Sequence, residues 1–184
     1  MGNAERSYLD TGGSHMDKTK KLALTAIFSA LYFVLSAVLK IPVGGHMTLD
    51  LGYIALMVAS VCLGAVPAML VGGIGAFFES ALLSMRGVSP GWILMNAIIG
   101  LVCGSILPKA YEGKRRTFIF LACGIVLASA FVGMTVKTLI DCLLYDLPLA
   151  AKIPVAFIGW IADSAVMLVL GLPLSITLKK QVKF

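Results

Sequence analysis

The chain reads as an all-α integral membrane protein, a bundle of six transmembrane helices with both termini cytoplasmic. Three observations predict this. Hydrophobic residues make up 59% of the 184 and charged residues only 13%, with a mean hydropathy of +0.98, far from soluble globular domains. Several unbroken Leu, Val, Ala and Ile runs approach the ~20 residues needed to cross the hydrocarbon. The basic residues gather in three clusters separated by even numbers of those runs. A β-barrel would need alternating strands of about ten residues, which such runs exclude.

Residues 1–15, "MGNAERSYLDTGGSH", are polar and Gly-rich and lead into a Ser-His-Met common at cloning junctions. They read as a tag or linker, with the native start at Met16 and one membrane domain over 16–184. The first apolar run has no small-residue cleavage pattern close behind it, so no cleavable signal peptide is expected. Helix 1 is predicted over 22–39, after the basic "KTKK". Pro42, Gly44 and Gly45 in "KIPVGGHMT" then break it and allow the loop to fold back. Helix 2 is predicted over 49–63, with Asp50 in its first turn, where the helix dipole favours an anion. A tight turn at 64–67 leads into helix 3, predicted over 65–85, and "RGVSPG" forms the next loop. Helix 4 is predicted over 92–107, ended by the polar cluster "PKAYEGKRR". Helix 5 follows over 117–145, and after "DLPLAAK" helix 6 runs over 153–178.

Charge sets the orientation. Lys18, Lys20 and Lys21 precede helix 1; Lys109, Lys114, Arg115 and Arg116 lie between helices 4 and 5; Lys179, Lys180 and Lys183 follow helix 6. Six crossings put all three clusters on one side, which the positive-inside rule makes cytoplasmic. The opposite loops carry only Lys40, Arg86 and Lys152, of which Arg86 and Lys152 read as solvated charges. The net charge of +6 thus reflects topology in a cell membrane, not nucleic-acid binding. Cys62, Cys103, Cys123 and Cys142 fall inside predicted spans without metal-ligand spacing and read as small packing residues. The chain shows no G-x-x-x-x-G-K-[ST] loop, H-E-x-x-H or G-x-S-x-G, so neither an ATPase nor another enzyme is predicted, and no metal or cofactor of its own.

Ionisable groups inside a span cost at least ~2.5 kcal/mol each near its centre, so they normally face a partner or an aqueous cavity. At a rise of ~1.5 Å per residue, Glu79 stands roughly 21 Å above the cytoplasmic start of helix 3. By the same rise, Asp163 lies roughly 15 Å below the outer start of helix 6 and Asn96 roughly 6 Å below Trp92. Lys137 and Asp141, one turn apart, lie at the outer end of helix 5. All fall in the outer half. A proton or ion relay would string such groups across the whole thickness, whereas a cavity open to the outside gathers them at one end. His46, Thr48 and Asp50 from the first loop, Arg86, Ser89 and Trp92 from the third, and Trp160, three residues before Asp163, stand near it.

Plainer roles also fit some of these residues. Lys137 and Asp141 match an i,i+4 ion pair at the water interface. Trp92 and Trp160 match an interfacial belt, and Asp50 matches a helix cap. As a ligand site, the carboxylates would accept from ring N–H and amino groups, the indoles would stack on flat rings, and Lys137 or Arg86 would hold a carboxylate or phosphate. Pterins, deazapurines and pyrimidine-bearing vitamins all suit that set. A self-sufficient secondary carrier or small channel, acting as a homo-oligomer, is the rival reading, although residues 22–107 and 117–178 show no evident inverted repeat.

Small residues recur at four-residue spacing, Ala26 and Ala30 on helix 1 and Ala68, Gly72 and Ala76 on helix 3, a pattern that lets helices approach closely in lipid. Together with the six short helices, the basic N-terminus, the Pro/Gly-rich first loop and "CLGAVPAMLVGGIGAFFES", this resembles the substrate-binding S components of energy-coupling factor (ECF) vitamin transporters, over essentially all of 16–184. Family members often read L-G-P at the turn, where this chain has Leu63-Gly64-Ala65 and its proline at Pro67. The resemblance implies a nutrient pocket near the extracellular face, formed by the outer-half polar set. It implies a lid in the first loop (Pro42, Gly44, Gly45 and Thr48) and docking through Ala26 and Ala30 onto a membrane coupling subunit. It also implies two cytoplasmic ATPase partners that consume the ATP.

Overall fold

The computed structural model describes residues 18–39, 41–44, 47–84, 87–111 and 115–181. Six helices result: α1 (Lys18–Val38), α2 (Gly52–Cys62), α3 (Ala65–Leu83), α4 (Pro90–Tyr111), α5 (Arg115–Tyr145) and α6 (Leu149–Gln181). A π-helical turn, Met167–Gly171, interrupts α6. The first loop folds back as expected, as a short antiparallel hairpin of β1 (Ile41–Gly44) and β2 (Met47–Leu49) that pairs Pro42 with Thr48. The tag assignment at 1–15, together with Gly45, His46 and Arg86, lies outside the described residues.

Five of the helices are long and apolar enough to cross a membrane. α2 is not: its 11 residues rise about 16 Å, roughly half the hydrocarbon thickness. Nine of the 11 are buried, so it is wrapped on all sides and forms the centre of the bundle, in contact with α1, α3, α4 and α6. Its predicted start at Leu49 shifts to Gly52 because β2 takes up residues 47–49. α6 starts at Leu149, behind Pro148, and runs through Pro154. The helical start predicted at Ile153 is therefore one turn late, and Lys152 is a helix residue.

α1 turns a polar stripe inward, against an otherwise apolar core, and an apolar face outward. The buried stripe of α1 is Thr25, Ser29, Tyr32 and Ser36, while Leu22, Ile27 and Val38 are 61–73% exposed. In water such a surface would aggregate; in a bilayer it is the solvated face. Ala26 and Ala30 lie on this outward side. The stripe on α3 points the other way: Ala68, Gly72 and Ala76 are buried. A Cβ on Gly100 would meet the backbone of Ala68, and one on Gly104 would stand 2.7 Å from the Gly64 carbonyl oxygen. These close crossings bind α3 to α4 and hold Glu79 opposite Trp92.

Candidate functional site

Polar side chains from α3, α4, α5 and α6 converge at one end of the bundle around two adjoining chambers. The larger, about 550 Å³, is lined by Glu79, Ser80 and Ser84 of α3 and its end, Ser89 and Trp92, Lys137, Asp141 and Tyr145 of α5, and Leu147 and Lys152. The smaller, about 220 Å³, shares Trp92, Lys137, Asp141 and Lys152 and adds Met134, Thr138, Val155, Ala156, Gly159 and Asp163. Volumes of this order suit a drug-sized molecule.

Each buried carboxylate is held by a specific donor. The Trp92 indole N–H donates to Glu79 Oε2 at 2.9 Å. The Tyr53 hydroxyl donates to Asp163 Oδ2 at 3.2 Å. Lys137 Nζ stands 3.1 Å from Asp141 Oδ2 and 5.9 Å from the centre of the Trp92 ring, within cation–π range. Asp50 stands one residue before Leu51, the N-cap of α2, and its Oδ1 accepts from the Gly52 N–H at 2.8 Å and from the Ser36 hydroxyl at 2.6 Å. It also anchors a network. The Tyr32 hydroxyl lies between Asp50 Oδ2 (3.2 Å) and Asn96 Oδ1 (3.0 Å), and Asn96 Nδ2 donates to the Trp92 carbonyl at 2.9 Å. A continuous hydrogen-bonded path therefore joins α1 and the end of the hairpin to the wall that carries Trp92.

Of the residues expected at the site, Glu79, Trp92, Lys137 and Asp141 meet at the larger chamber and Asp163 at the smaller. Asn96 is fully buried behind the wall, where it orients Tyr32 and Trp92. Trp160 lines an apolar groove of about 300 Å³ between α5 and α6 that shares Met134, Thr138 and Ala156 with the smaller chamber; its indole donates to the Leu127 carbonyl at 3.0 Å and its ring packs on Phe131 and Phe157. Three residues on a helix differ by about 60° in direction, which is enough to send Asp163 inward and Trp160 to the flank. Tyr32, Ser36 and Tyr53 were not among the residues expected at the site, and Lys152 was expected there only as a solvated loop charge. For the first two a signal existed, since Thr25, Ser29, Tyr32 and Ser36 form a hydroxyl stripe at helical spacing.

A bundle of apolar-surfaced helices with a polar chamber at one end is the architecture of a membrane protein with room for a small solute. Comparison with known proteins gives the family. Over residues 16–180 the chain matches the model of the family described as "ECF-type riboflavin transporter, S component", and it belongs to that family. That family is one of transporter S components. The crystal structure of the S component for biotin from an ECF-type ABC transporter superposes with a TM-score of 0.68 at 17% identity, over 88% of this chain and 92% of that one, which shows the shared fold. Two phytoplasma UPF0397 proteins are also similar. That of Onion yellows phytoplasma is 32% identical over 103 residues, covering 55% of this chain and 54% of its relative. That of Aster yellows witches'-broom phytoplasma is 27% identical over 141 residues, covering 72% and 73%. The match with the first of these relatives spans about half of its length.

Proposed function

We propose that this chain captures a B-vitamin or related flat nitrogen heteroaromatic nutrient at the outer face of the cell membrane, with high affinity, for an ECF-type ABC importer. The observation that carries the reading is the convergence of Glu79, Trp92, Lys137 and Asp141 on one cavity of about 550 Å³. Carboxylates there accept from ring and amino N–H groups, and the indole offers an apolar face. Riboflavin, the vitamin in the family's description, falls within this ligand class, as do pterins, deazapurines and pyrimidine-type compounds. Among the residues outside the described set, His46 and Arg86 are proposed as further ligand contacts and Gly45 as part of the lid with Pro42, Gly44 and Thr48. Both termini are cytoplasmic in this reading. The exposed alanines Ala26 and Ala30 dock α1 on a membrane coupling subunit, and two cytoplasmic ATPases supply the energy.

Reconstitution tests this. Proteoliposomes that hold the chain with a coupling subunit and two ATPases are expected to accumulate the nutrient only when ATP is present on the ATPase side. Uptake by the chain alone, driven by an imposed ion gradient, would replace the proposal with the secondary-carrier reading.

A further inference from the structure

α5 and α6 pack together along Leu149–Val166 and part after the π turn at Met167–Gly171. Beyond it, among the described residues, the closing segment Leu172–Gln181 packs on α2 and not on α5. Lys179 fastens it there: its Nζ donates to the Val61 carbonyl at 3.0 Å and stands 4.6 Å from the centre of the Tyr111 ring. The parting leaves a cleft of about 520 Å³ at the end of the bundle opposite the polar chambers. Ile119 and Cys123 of α5 line one side of it, Leu168, Leu172 and Ile176 of α6 the other, and the exposed Lys180 stands at its rim. No acidic residue lines the cleft among the described residues, so its one ammonium has no carboxylate there to balance it. From Leu168 to Ile176 the helix rises about 12 Å, and Lys180 lies about 6 Å further along. The hydrocarbon of one leaflet is roughly 15 Å deep, half of the core thickness. An acyl chain laid in the cleft therefore brings its headgroup to the level of Lys180.

We infer that this cleft binds one anionic phospholipid, with an acyl chain between Ile119 and Cys123 on α5 and Leu168, Leu172 and Ile176 on α6, and its phosphate against Lys180. On the proposed topology this is a lipid of the cytoplasmic leaflet, where basic pockets between membrane helices favour anionic headgroups. A zwitterionic headgroup brings its own ammonium and gains less from the lysine. The lipid fills the gap that opens where α6 leaves α5, so its binding also stabilises the folded bundle by mass action. The site is separate from the polar chambers and stands whether or not those hold the nutrient.

The experiment is native mass spectrometry of the full chain, stripped of lipid in a neutral maltoside detergent and then given equal amounts of phosphatidylglycerol and phosphatidylcholine with the same acyl chains. The first lipid retained is expected to be phosphatidylglycerol, in roughly fivefold excess. Lys180→Met should bring the two lipids to about equal retention, Lys180→Arg should keep the preference, and Lys20→Met, a basic residue away from the cleft, should leave it unchanged. Cys123→Trp fills the cleft and should lower the retention of both lipids. Phosphatidylglycerol is expected to raise the melting temperature of the wild type and not that of Lys180→Met; the exposed position of Lys180 leaves the lipid-free melting temperature of that variant unchanged. Retention of neither lipid, equal retention of both by the wild type, or a preference that survives Lys180→Met overturns the inference. So does an equal loss in Lys20→Met, which would mean diffuse attraction to the basic end of the bundle. Displacement of the lipid by glycerol phosphate alone would show a headgroup site without the cleft, and a homodimer that excludes lipid would show that a second copy covers it; either result overturns the inference.

Discussion

Asp163→Asn is expected to weaken nutrient binding by ~10- to 100-fold, the equivalent of the roughly 1.5–3 kcal/mol of a hydrogen bond to a charged group. The substitution preserves shape and retains an oxygen that accepts from Tyr53, so the contact that ties α6 to α2 survives. What it removes is a carboxyl oxygen facing the smaller chamber, where a ligand N–H would be received. Glu79→Gln makes the same change in the larger chamber and keeps an acceptor for the Trp92 indole, so a loss of the same order is expected there. Titration calorimetry of each purified variant measures the effect, and an unchanged melting temperature without ligand separates lost binding from lost folding. Wild-type affinity in both variants would show that the two carboxylates serve only the packing of Tyr53 and Trp92.

The second large effect is expected on α1. Ala26→Trp or Ala30→Trp should reduce ATP-driven uptake to background while changing affinity in detergent by no more than about twofold. Both alanines are exposed, and the buried stripe of Thr25, Ser29, Tyr32 and Ser36 holds the bundle from another face of the helix. A tryptophan there has room in lipid but would hold a partner helix away from α1. Uptake assays with the reconstituted coupling module, run beside binding assays on the isolated chain, separate the two outcomes. Lost binding would mean that this face contributes to the bundle itself; normal uptake would place the docking surface elsewhere.

The membrane class and the order of the helices were legible from the sequence because lipid penalises charge so heavily that apolar runs and their basic ends mark themselves. The same penalty exposed Glu79 and Asp163: short carboxylates at those depths require a partner, and the structure supplies Trp92 and Tyr53. Those partners were harder to see. A tyrosine in an apolar run carries no such penalty, so Tyr32 and Tyr53 looked like ordinary span residues, although they hold the buried acids in place. Lys152 was hidden by a boundary. The stretch "DLPLAAK" read as a turn with the helix starting at Ile153, but α6 begins behind Pro148, and that one turn brings the lysine to Asp141. The shortness of α2 was equally obscure, because a buried central helix and a spanning one present the same apolar composition.

The central claim is that this chain holds a small nutrient in a chamber near one membrane face. Native mass spectrometry of the detergent-purified protein tests it most directly, with denaturation and identification of whatever is released. The account predicts a stoichiometric nitrogen heteroaromatic compound, retained by the wild type and lost from Asp163→Asn. A protein that carries no small molecule, and that no vitamin or vitamin precursor stabilises when added back, would contradict it.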